Sequence, residues 1–307
     1  LEVGSCRYGL MCNEHGMIFD DGVTSRLGEN HYHMTTTTGG AARVMSWLEE
    51  FLQTEWLDMK VFCTSVTEQW AVLSISGPKA RNFLSELTDI DLSKEAFPFM
   101  KFREGKVCGI DARVFRISFT GELAFEVNVP ARYGEFIWNE FINHGKKYKI
   151  TPYGTESMHV LRAEKGFIIV GQDTDGSVTP FDLNMDWIVS KKKEDFLGKR
   201  SFSRTDTSRS DRKKLVGLLV NDKKTVLPEG SHIVEKAKSR PPMRMIGHVS
   251  SSYYSPTKEY PIALALLKDG SSRMGDEVEV PLMDGKIIKA TVTDPVFYDK
   301  EGLRNSE

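Results

Sequence analysis

Residues 11–23 read Met-Cys-Asn-Glu-His-Gly-Met-Ile-Phe-Asp-Asp-Gly-Val, a stretch that places two adjacent carboxylates after a short apolar run. Neighbouring side chains of a β-strand point to opposite faces. One of Asp20 and Asp21 is therefore expected to face solvent while the other faces a pocket. A carboxylate that loses solvation at the end of an apolar strand is a candidate proton acceptor or anchor for an amine. The local alternative is a hairpin turn, because Asp-Asp-Gly is common turn chemistry.

The segments around this stretch alternate between strand and helix patterns. Residues 15–38 predict a hairpin, and three strand-like runs follow at residues 61–66, 70–76 and 112–118. Apolar residues at helical spacing predict four helices, over residues 40–53, 78–87, 132–145 and 153–166. The order of strands and helices in the middle of the chain resembles a split βαβ layer.

The last third of the chain has a different pattern. Residues 205–214 are polar and have the composition of a linker. Residues 215–300 then alternate short apolar runs with turn residues, which predicts a small all-β barrel.

Composition excludes several classes of function. The chain has 307 residues and a net charge of -2, so it lacks the basic surplus of a nucleic-acid-binding protein. No apolar segment approaches the length that spans a bilayer, and residues 1–6 lack the pattern of a secretory signal. Because the first residue is not Met, we expect a fragment, a processed product or a trimmed chain.

The cysteines indicate a reducing compartment. The four cysteines form no Cys-x-x-Cys pair and show no metal-ligand spacing with histidine, so no metal site is predicted. Cys63 and Cys108 lie in apolar runs and are expected to behave as small hydrophobic residues. We therefore expect a cytoplasmic protein.

Seven groups of residues, collinear along nearly the whole chain, resemble the aminomethyltransferase (glycine cleavage T-protein) family. They include Phe-Thr-Gly-Glu-Leu-Ala-Phe-Glu-Val at residues 119–127 and Leu-Arg-Ala-Glu-Lys-Gly at residues 161–166. The others lie at residues 13–21, 73–80, 97–100, 171–180 and 246–251. The motif wording, notably Tyr-Gly-Leu-Met-Cys-Asn-Glu at residues 8–14, is most similar to the C-terminal half of the alpha subunit of heterotetrameric sarcosine oxidases.

The resemblance implies an α+β fold of three subdomains arranged as a cloverleaf, with a ferredoxin-like split βαβ layer and a C-terminal β-barrel. It places a folate-binding aminomethyltransferase domain at residues 1–200, formed by residues 1–55 and 150–200 around an inserted split βαβ subdomain at residues 56–149. The barrel domain is expected at residues 213–307. Family members that bind folate usually carry a further segment before the first motif.

The resemblance also assigns two carboxylates. Asp21 matches the family carboxylate near the folate nitrogen that takes up the one-carbon unit, which makes it the expected catalytic residue. Glu126 matches the carboxylate that holds the amino and ring N–H groups of the pterin. A carboxylate accepts two such donors at once. The alternative for Glu126 is an outward-facing residue of an alternating strand.

Three further residues are expected to bind folate. Phe119 stands where T-proteins usually have a tyrosine, so a ring contact remains while a hydroxyl contact is lost. Met158 stands where they carry an arginine, so Arg162 is a candidate for the folate tail, with a structural ion pair as the alternative. Thr35 is expected across the hairpin from Asp21, where it lines the cavity or serves strand packing.

The resemblance implies a tetrahydrofolate-dependent one-carbon transfer enzyme, part of a sarcosine oxidase alpha-like subunit. An imine delivered by a flavoprotein partner would react with tetrahydrofolate to give 5,10-methylenetetrahydrofolate. No Gly-x-Gly-x-x-Gly follows a strand, so flavin is expected only on partner subunits. The alternatives are a free-standing aminomethyltransferase or folate-dependent demethylase, and a non-catalytic folate-binding or scaffold subunit.

Overall fold

The computed structural model describes residues 1–238 and 240–306, which divide into two compact units. The first unit comprises Leu1–Gly9, Asp20–Tyr153 and the residues from Gly302 onward. The second comprises Leu10–Phe19 and Gly154–Glu301. The domain boundaries expected from the resemblance remain a prediction, and the predicted barrel range 213–307 includes residues 239 and 307, which lie outside the described part.

A three-stranded sheet carries the Asp-Asp pair. Its strands, in spatial order, are β1 (Cys6–Cys12), β2 (Ile18–Gly28) and β3 (His31–Met34). Strands β2 and β3 are antiparallel, with Thr24 opposite Met34. The predicted hairpin is thus confirmed, and α1 (Ala41–Thr54) follows it as predicted for residues 40–53.

The first unit also contains a four-stranded antiparallel sheet. In chain order its strands and the two helices between them and after them are β4 (Trp70–Ser76), α2 (Ala80–Ser85), β5 (Phe102–Val107), β6 (Ile110–Phe115), β7 (Ala124–Pro130) and α3 (Gly134–Gly145). In the sheet the strands lie in the order β4, β7, β6, β5.

The two faces of this sheet have different neighbours. One face packs against α2 and α3 through a core that includes Phe83, Phe125 and Ile137. On the other face, Phe102 and Phe115 form a smaller cluster with Cys6 of β1. Alternation along β7 therefore places Phe125 on the helix-facing side and Glu126 on the opposite side.

The prediction of a strand at residues 61–66 is wrong, because the backbone of this segment is irregular. Val61 and Phe62 are exposed, Phe62 almost completely. Strand propensity is realised only when a ladder partner is available, and no described strand pairs with this segment.

The second unit contains a closed six-stranded barrel, as predicted. Its strands are β8 (Lys213–Val220), β9 (His232–Val234), β10 (Met245–Ser255), β11 (Tyr260–Lys268), β12 (Glu277–Pro281) and β13 (Ile287–Thr293). The helix α4 (Thr155–Glu164) packs against β10 and β11 through Ala163, Tyr253 and Ile262. A short helix, α5 (Leu303–Ser306), lies in the first unit.

Two features are absent from the described residues. No helix in residues 1–238 and 240–306 is long and apolar enough to cross a membrane. Within the same ranges, no group of three or more histidine, cysteine, aspartate or glutamate side chains is arranged to hold a metal ion.

Candidate functional site

Asp20 and Asp21 have different surroundings, as expected, but neither is fully exposed to solvent. The Asp20 side chain is fully buried, and its carboxylate accepts hydrogen bonds from the backbone N–H groups of Asp21 and Thr37, both at 2.9 Å. It also accepts from the Thr37 hydroxyl at 3.1 Å and pairs with Arg43 at 3.3 Å. Asp20 therefore ties β2 to the segment that leads into α1, which is a structural role.

The contact between Asp20 and this segment requires a glycine at position 40. A Cβ atom on Gly40 would lie 1.8 Å from the Asp20 Oδ2 atom. Gly40→Ala is therefore expected to lower the free energy of unfolding by about 1–3 kcal/mol, the usual cost of overpacking. Gly39→Ala is the matched control, because a Cβ atom there would meet nothing within 4 Å. Thermal unfolding of the two variants checks this prediction, and an equal melting temperature would contradict it.

Asp21 lies on the other side of the strand and is only partly buried. Its Oδ2 atom accepts a hydrogen bond of 2.7 Å from the Tyr8 hydroxyl. Burial raises the pKa of the Asp21 carboxyl, while the Tyr8 hydrogen bond counteracts part of that rise. Burial and the neighbouring Asp21 charge raise the pKa of Tyr8, so the phenol remains a donor. Asp21 is thus a desolvated carboxylate with one fixed donor.

Glu126 is a second desolvated carboxyl, on a residue that is only partly exposed. Burial raises its pKa from the ordinary value of 4.5 to about 7. Among the described residues, none donates a hydrogen bond to its carboxylate or forms an ion pair with it. A carboxylate in this state can accept two N–H groups from a ligand, which fits the donor edge of a pterin.

Strand β1 connects these two carboxyls. Cys6 and Tyr8 are two residues apart and so point to the same face of β1. Burial raises the pKa of the Cys6 thiol, and the nearby Glu126 charge raises it further. The Glu126 charge raises the pKa of Cys6, and Asp21 accepts a hydrogen bond from Tyr8. The two predicted carboxylates therefore lie near the same face of β1.

The unpaired state of Glu126 has a consequence for stability. Its raised pKa means that the folded chain favours the neutral acid, so the stability this group contributes is lost as pH rises from about 4.5 through about 7. Glu126→Gln mimics the neutral acid. We expect it to raise the melting temperature of the ligand-free chain at pH 8.5 and to leave it unchanged at pH 5. A calorimetric scan at both pH values tests this, and a lower melting temperature at pH 8.5 would contradict it.

Phe119 and Thr35, both in the first unit, have different settings. Phe119 is half-buried in the loop between β6 and β7, and that loop is fastened to β4 by a 2.6 Å hydrogen bond between the Thr120 and Ser76 hydroxyls. Thr35 is exposed, and its hydroxyl accepts a 3.0 Å hydrogen bond from the Val23 backbone N–H. This bond favours the strand-packing alternative for Thr35.

Arg162 lies in the second unit and is completely buried. Its guanidinium forms an ion pair with Asp173, donates to the Ser251 hydroxyl at 2.6 Å and donates to the Phe167 carbonyl at 3.0 Å. These contacts favour the structural ion pair over a folate contact.

Sequence reasoning missed Tyr8. The signal that could have found it is strand alternation, since the pattern Cys-Arg-Tyr-Gly-Leu at residues 6–10 already places Cys6 and Tyr8 on one face. What alternation does not give is the register between β1 and β2, which brings the Tyr8 hydroxyl to Asp21.

Two family models match the chain. The GCVT N-terminal domain matches residues 1–193, and the glycine cleavage T-protein C-terminal barrel domain matches residues 213–299. The second match covers the strands of the closed barrel.

Curated relatives cover nearly all of this chain. Sarcosine oxidase subunit alpha from Corynebacterium sp. (strain U-96) is 52% identical over 99% of the chain, which spans 32% of that protein. The same subunit from Rhizobium meliloti (strain 1021) is 43% identical, and the chain spans 31% of it. Aminomethyltransferase from Thermoanaerobacter sp. (strain X514) is 28% identical over 95% of the chain and 76% of its own length. The chain therefore spans about a third of the length of the sarcosine oxidase subunits.

A solved structure confirms the predicted fold class. Glycine cleavage system aminomethyltransferase T from Bartonella henselae superposes with a TM-score of 0.81 and 24% identity, over 98% of this chain and 78% of that one. The family model that matches residues 1–193 shows that the chain belongs to the glycine cleavage T-protein (aminomethyltransferase) family.

Proposed function

We propose that this chain is an enzyme module for tetrahydrofolate-dependent one-carbon transfer, within a sarcosine oxidase alpha-like subunit. The proposal rests on the desolvated Glu126 carboxyl, whose charge affects Cys6 on β1, together with the Tyr8–Asp21 pair on the same strand face. Ionising a desolvated carboxyl without a hydrogen-bond donor is costly in a folded protein. A ligand that donates paired N–H groups would remove that cost.

The residues present fit a reduced folate. Glu126 would accept the amino and ring N–H groups of the pterin, and Phe119 would pack against it. The imine carbon would form bonds to two nucleophilic nitrogens of tetrahydrofolate, its bond to the amine nitrogen would break, and the two folate N–H protons would pass to the departing amine. The products are then 5,10-methylenetetrahydrofolate and the free amine. Asp21, ionised and fixed by the Tyr8 hydroxyl, would stabilise positive charge next to one of these folate nitrogens and accept its proton. Thr35 and Arg162 remain candidates with weaker support.

The one-carbon donor in this proposal is an imine made at a flavin on a partner subunit. This donor is supported by the 52% identity to a protein named sarcosine oxidase subunit alpha. Oxidation of an N-methyl amine gives such an imine. We infer a cytoplasmic setting, as the four unpaired cysteines suggest.

The test combines the complete subunit with its flavin-bearing partners, an N-methyl amine and tetrahydrofolate. An imine that is not captured hydrolyses to formaldehyde. We expect the wild-type assembly to yield mainly 5,10-methylenetetrahydrofolate, and the Asp21→Asn assembly to yield mainly formaldehyde. The proposal is wrong if both assemblies release formaldehyde in the same proportion.

A second candidate is a free-standing aminomethyltransferase. It is supported by the Thermoanaerobacter aminomethyltransferase, of which the chain spans 76%. Purification of the native protein separates the two candidates, because flavin-bearing subunits that co-purify with it in fixed ratio exclude a free-standing enzyme.

Tyr8 provides a further test of the acid–base role. Its hydrogen bond lowers the pKa of Asp21, so Tyr8→Phe removes that effect and raises the Asp21 pKa. Since Asp21 acts as a carboxylate, the acidic limb of the transfer rate against pH is expected to shift to higher pH. Tyr32→Phe is the matched control, because Tyr32 is exposed on β3. An unshifted profile for Tyr8→Phe would contradict the role assigned to the pair.

A further inference from the structure

Arg116 is a buried arginine in the first unit, outside the proposed folate site. It directly follows β6, and its side chain is 1% exposed. The guanidinium carbon lies 5.2 Å from the centroid of the Phe125 ring and 5.8 Å from that of Phe99. Phe125 faces the helices, whereas Glu126 faces the opposite side of the sheet. The Arg116 guanidinium, which contacts Phe125, therefore lies on the other side of the sheet from the Glu126 carboxyl.

The hydrogen bonds of Arg116 are incomplete. Nη2 donates to the Asn305 backbone carbonyl at 2.6 Å, but Nε and Nη1 are buried and have no acceptor. The Asn305 Oδ1 atom is also buried and lacks a donor. Across residues 1–238 and 240–306, no carboxylate forms an ion pair with Arg116. A buried cation without a counter-charge destabilises the folded state.

A second cation lies close to Arg116. The Arg81 guanidinium lies 5.7 Å from the centroid of the same Phe125 ring, on the side of α2. Burial and the nearby Arg81 charge lower the pKa of Arg116 to about 10. The nearby Glu122 carboxylate is engaged by Arg304 at 3.0 Å. Two guanidinium groups therefore lie beside the Phe125 ring, and no ion pair among the described residues neutralises Arg116.

We propose that Arg116 binds the carboxylate of a small molecule, in a site walled by the rings of Phe99 and Phe125. The two unpartnered donors would supply charge-assisted hydrogen bonds to its oxygens. One negative charge would offset the charge of the buried guanidinium. Phe99 is 41% exposed, so this wall borders solvent and gives the ligand an entry.

Acetate is the probe, and acetamide is its neutral counterpart of similar shape. At constant ionic strength, with chloride replaced by acetate, we expect saturation transfer from aromatic protons to the acetate methyl group and a dissociation constant on the order of 1 mM. Acetamide should show no transfer. Arg116→Gln is expected to weaken acetate binding at least about tenfold, the effect of one lost charged hydrogen bond. Arg113→Gln is the control, since Arg113 is three residues away and already pairs with Glu104 at 2.9 Å.

Equal binding of acetate and acetamide would overturn the proposal, as would equal loss of acetate binding in the Arg116 and Arg113 variants. If Arg116→Gln does not fold, the wild-type chain alone decides. Acetate must then shift the ring resonances of Phe99 and Phe125, and a shift confined to other residues would overturn the proposal. Tetrahydrofolate binding is measured separately and does not depend on this site.

Discussion

Replacement of Asp21 by asparagine is expected to slow one-carbon transfer by about 10²–10⁴-fold, the usual contribution of a positioned general acid–base group. Asparagine keeps the shape of the side chain and can still accept the Tyr8 hydrogen bond. It removes the negative charge and the proton acceptor. Folate affinity should therefore change only a few-fold, so the loss is expected in the rate of transfer. The measurement is the single-turnover rate of 5,10-methylenetetrahydrofolate formation with folate saturating.

Two other aspartates serve as comparisons. Asp111→Asn removes an exposed carboxylate that pairs with Lys106, and it should leave the rate unchanged. Asp20→Asn affects a fully buried carboxylate with four contacts, so it should lower the melting temperature. Wild-type transfer by Asp21→Asn would show that Asp21 is not the catalytic group.

Replacement of Glu126 by alanine is expected to weaken tetrahydrofolate binding at least about 100-fold. The change removes two charged hydrogen bonds, each worth about 1.5–3 kcal/mol. Because the carboxyl has a pKa of about 7 in the free chain, wild-type affinity should also fall as pH drops from 8.5 to 6. Below its pKa, the neutral acid no longer accepts both donors. Equilibrium dialysis across this pH range measures both effects.

Glu104→Gln is the control for this experiment. Glu104 lies on β5 of the same sheet and is paired with Arg113, so its loss should leave folate affinity and its pH dependence unchanged. The Glu126→Ala variant should bind weakly at every pH. An Ala variant that binds like the wild type would remove Glu126 from the folate site.

The sequence predicted most of the elements because their patterns are local. Alternation around Asp20 and Asp21 predicts the hairpin, and the turn residues after residue 215 predict the barrel. The strand expected at residues 61–66 failed because a strand also needs a partner, which local pattern does not supply. Sequence reasoning therefore succeeded where the periodicity of one segment decides the structure.

The chemistry of the site depends on contacts between distant segments. Position in a strand indicates that Asp20 and Asp21 differ, but only the contact of Asp20 with Thr37 shows which of them is structural. That no described residue pairs with the Glu126 carboxyl can be seen only once the positions of its neighbours are known. The two readings of Arg162 could be weighed only once its burial and its pairing with Asp173 were known.

The most direct test is a calorimetric titration of the complete subunit with tetrahydrofolate at pH 8, with the Glu126→Ala subunit alongside. We expect one site of micromolar affinity in the wild type and an affinity at least about 100-fold weaker in the variant. Absence of binding to the complete wild-type subunit, or equal binding to both subunits, would contradict the role of Glu126 in folate binding.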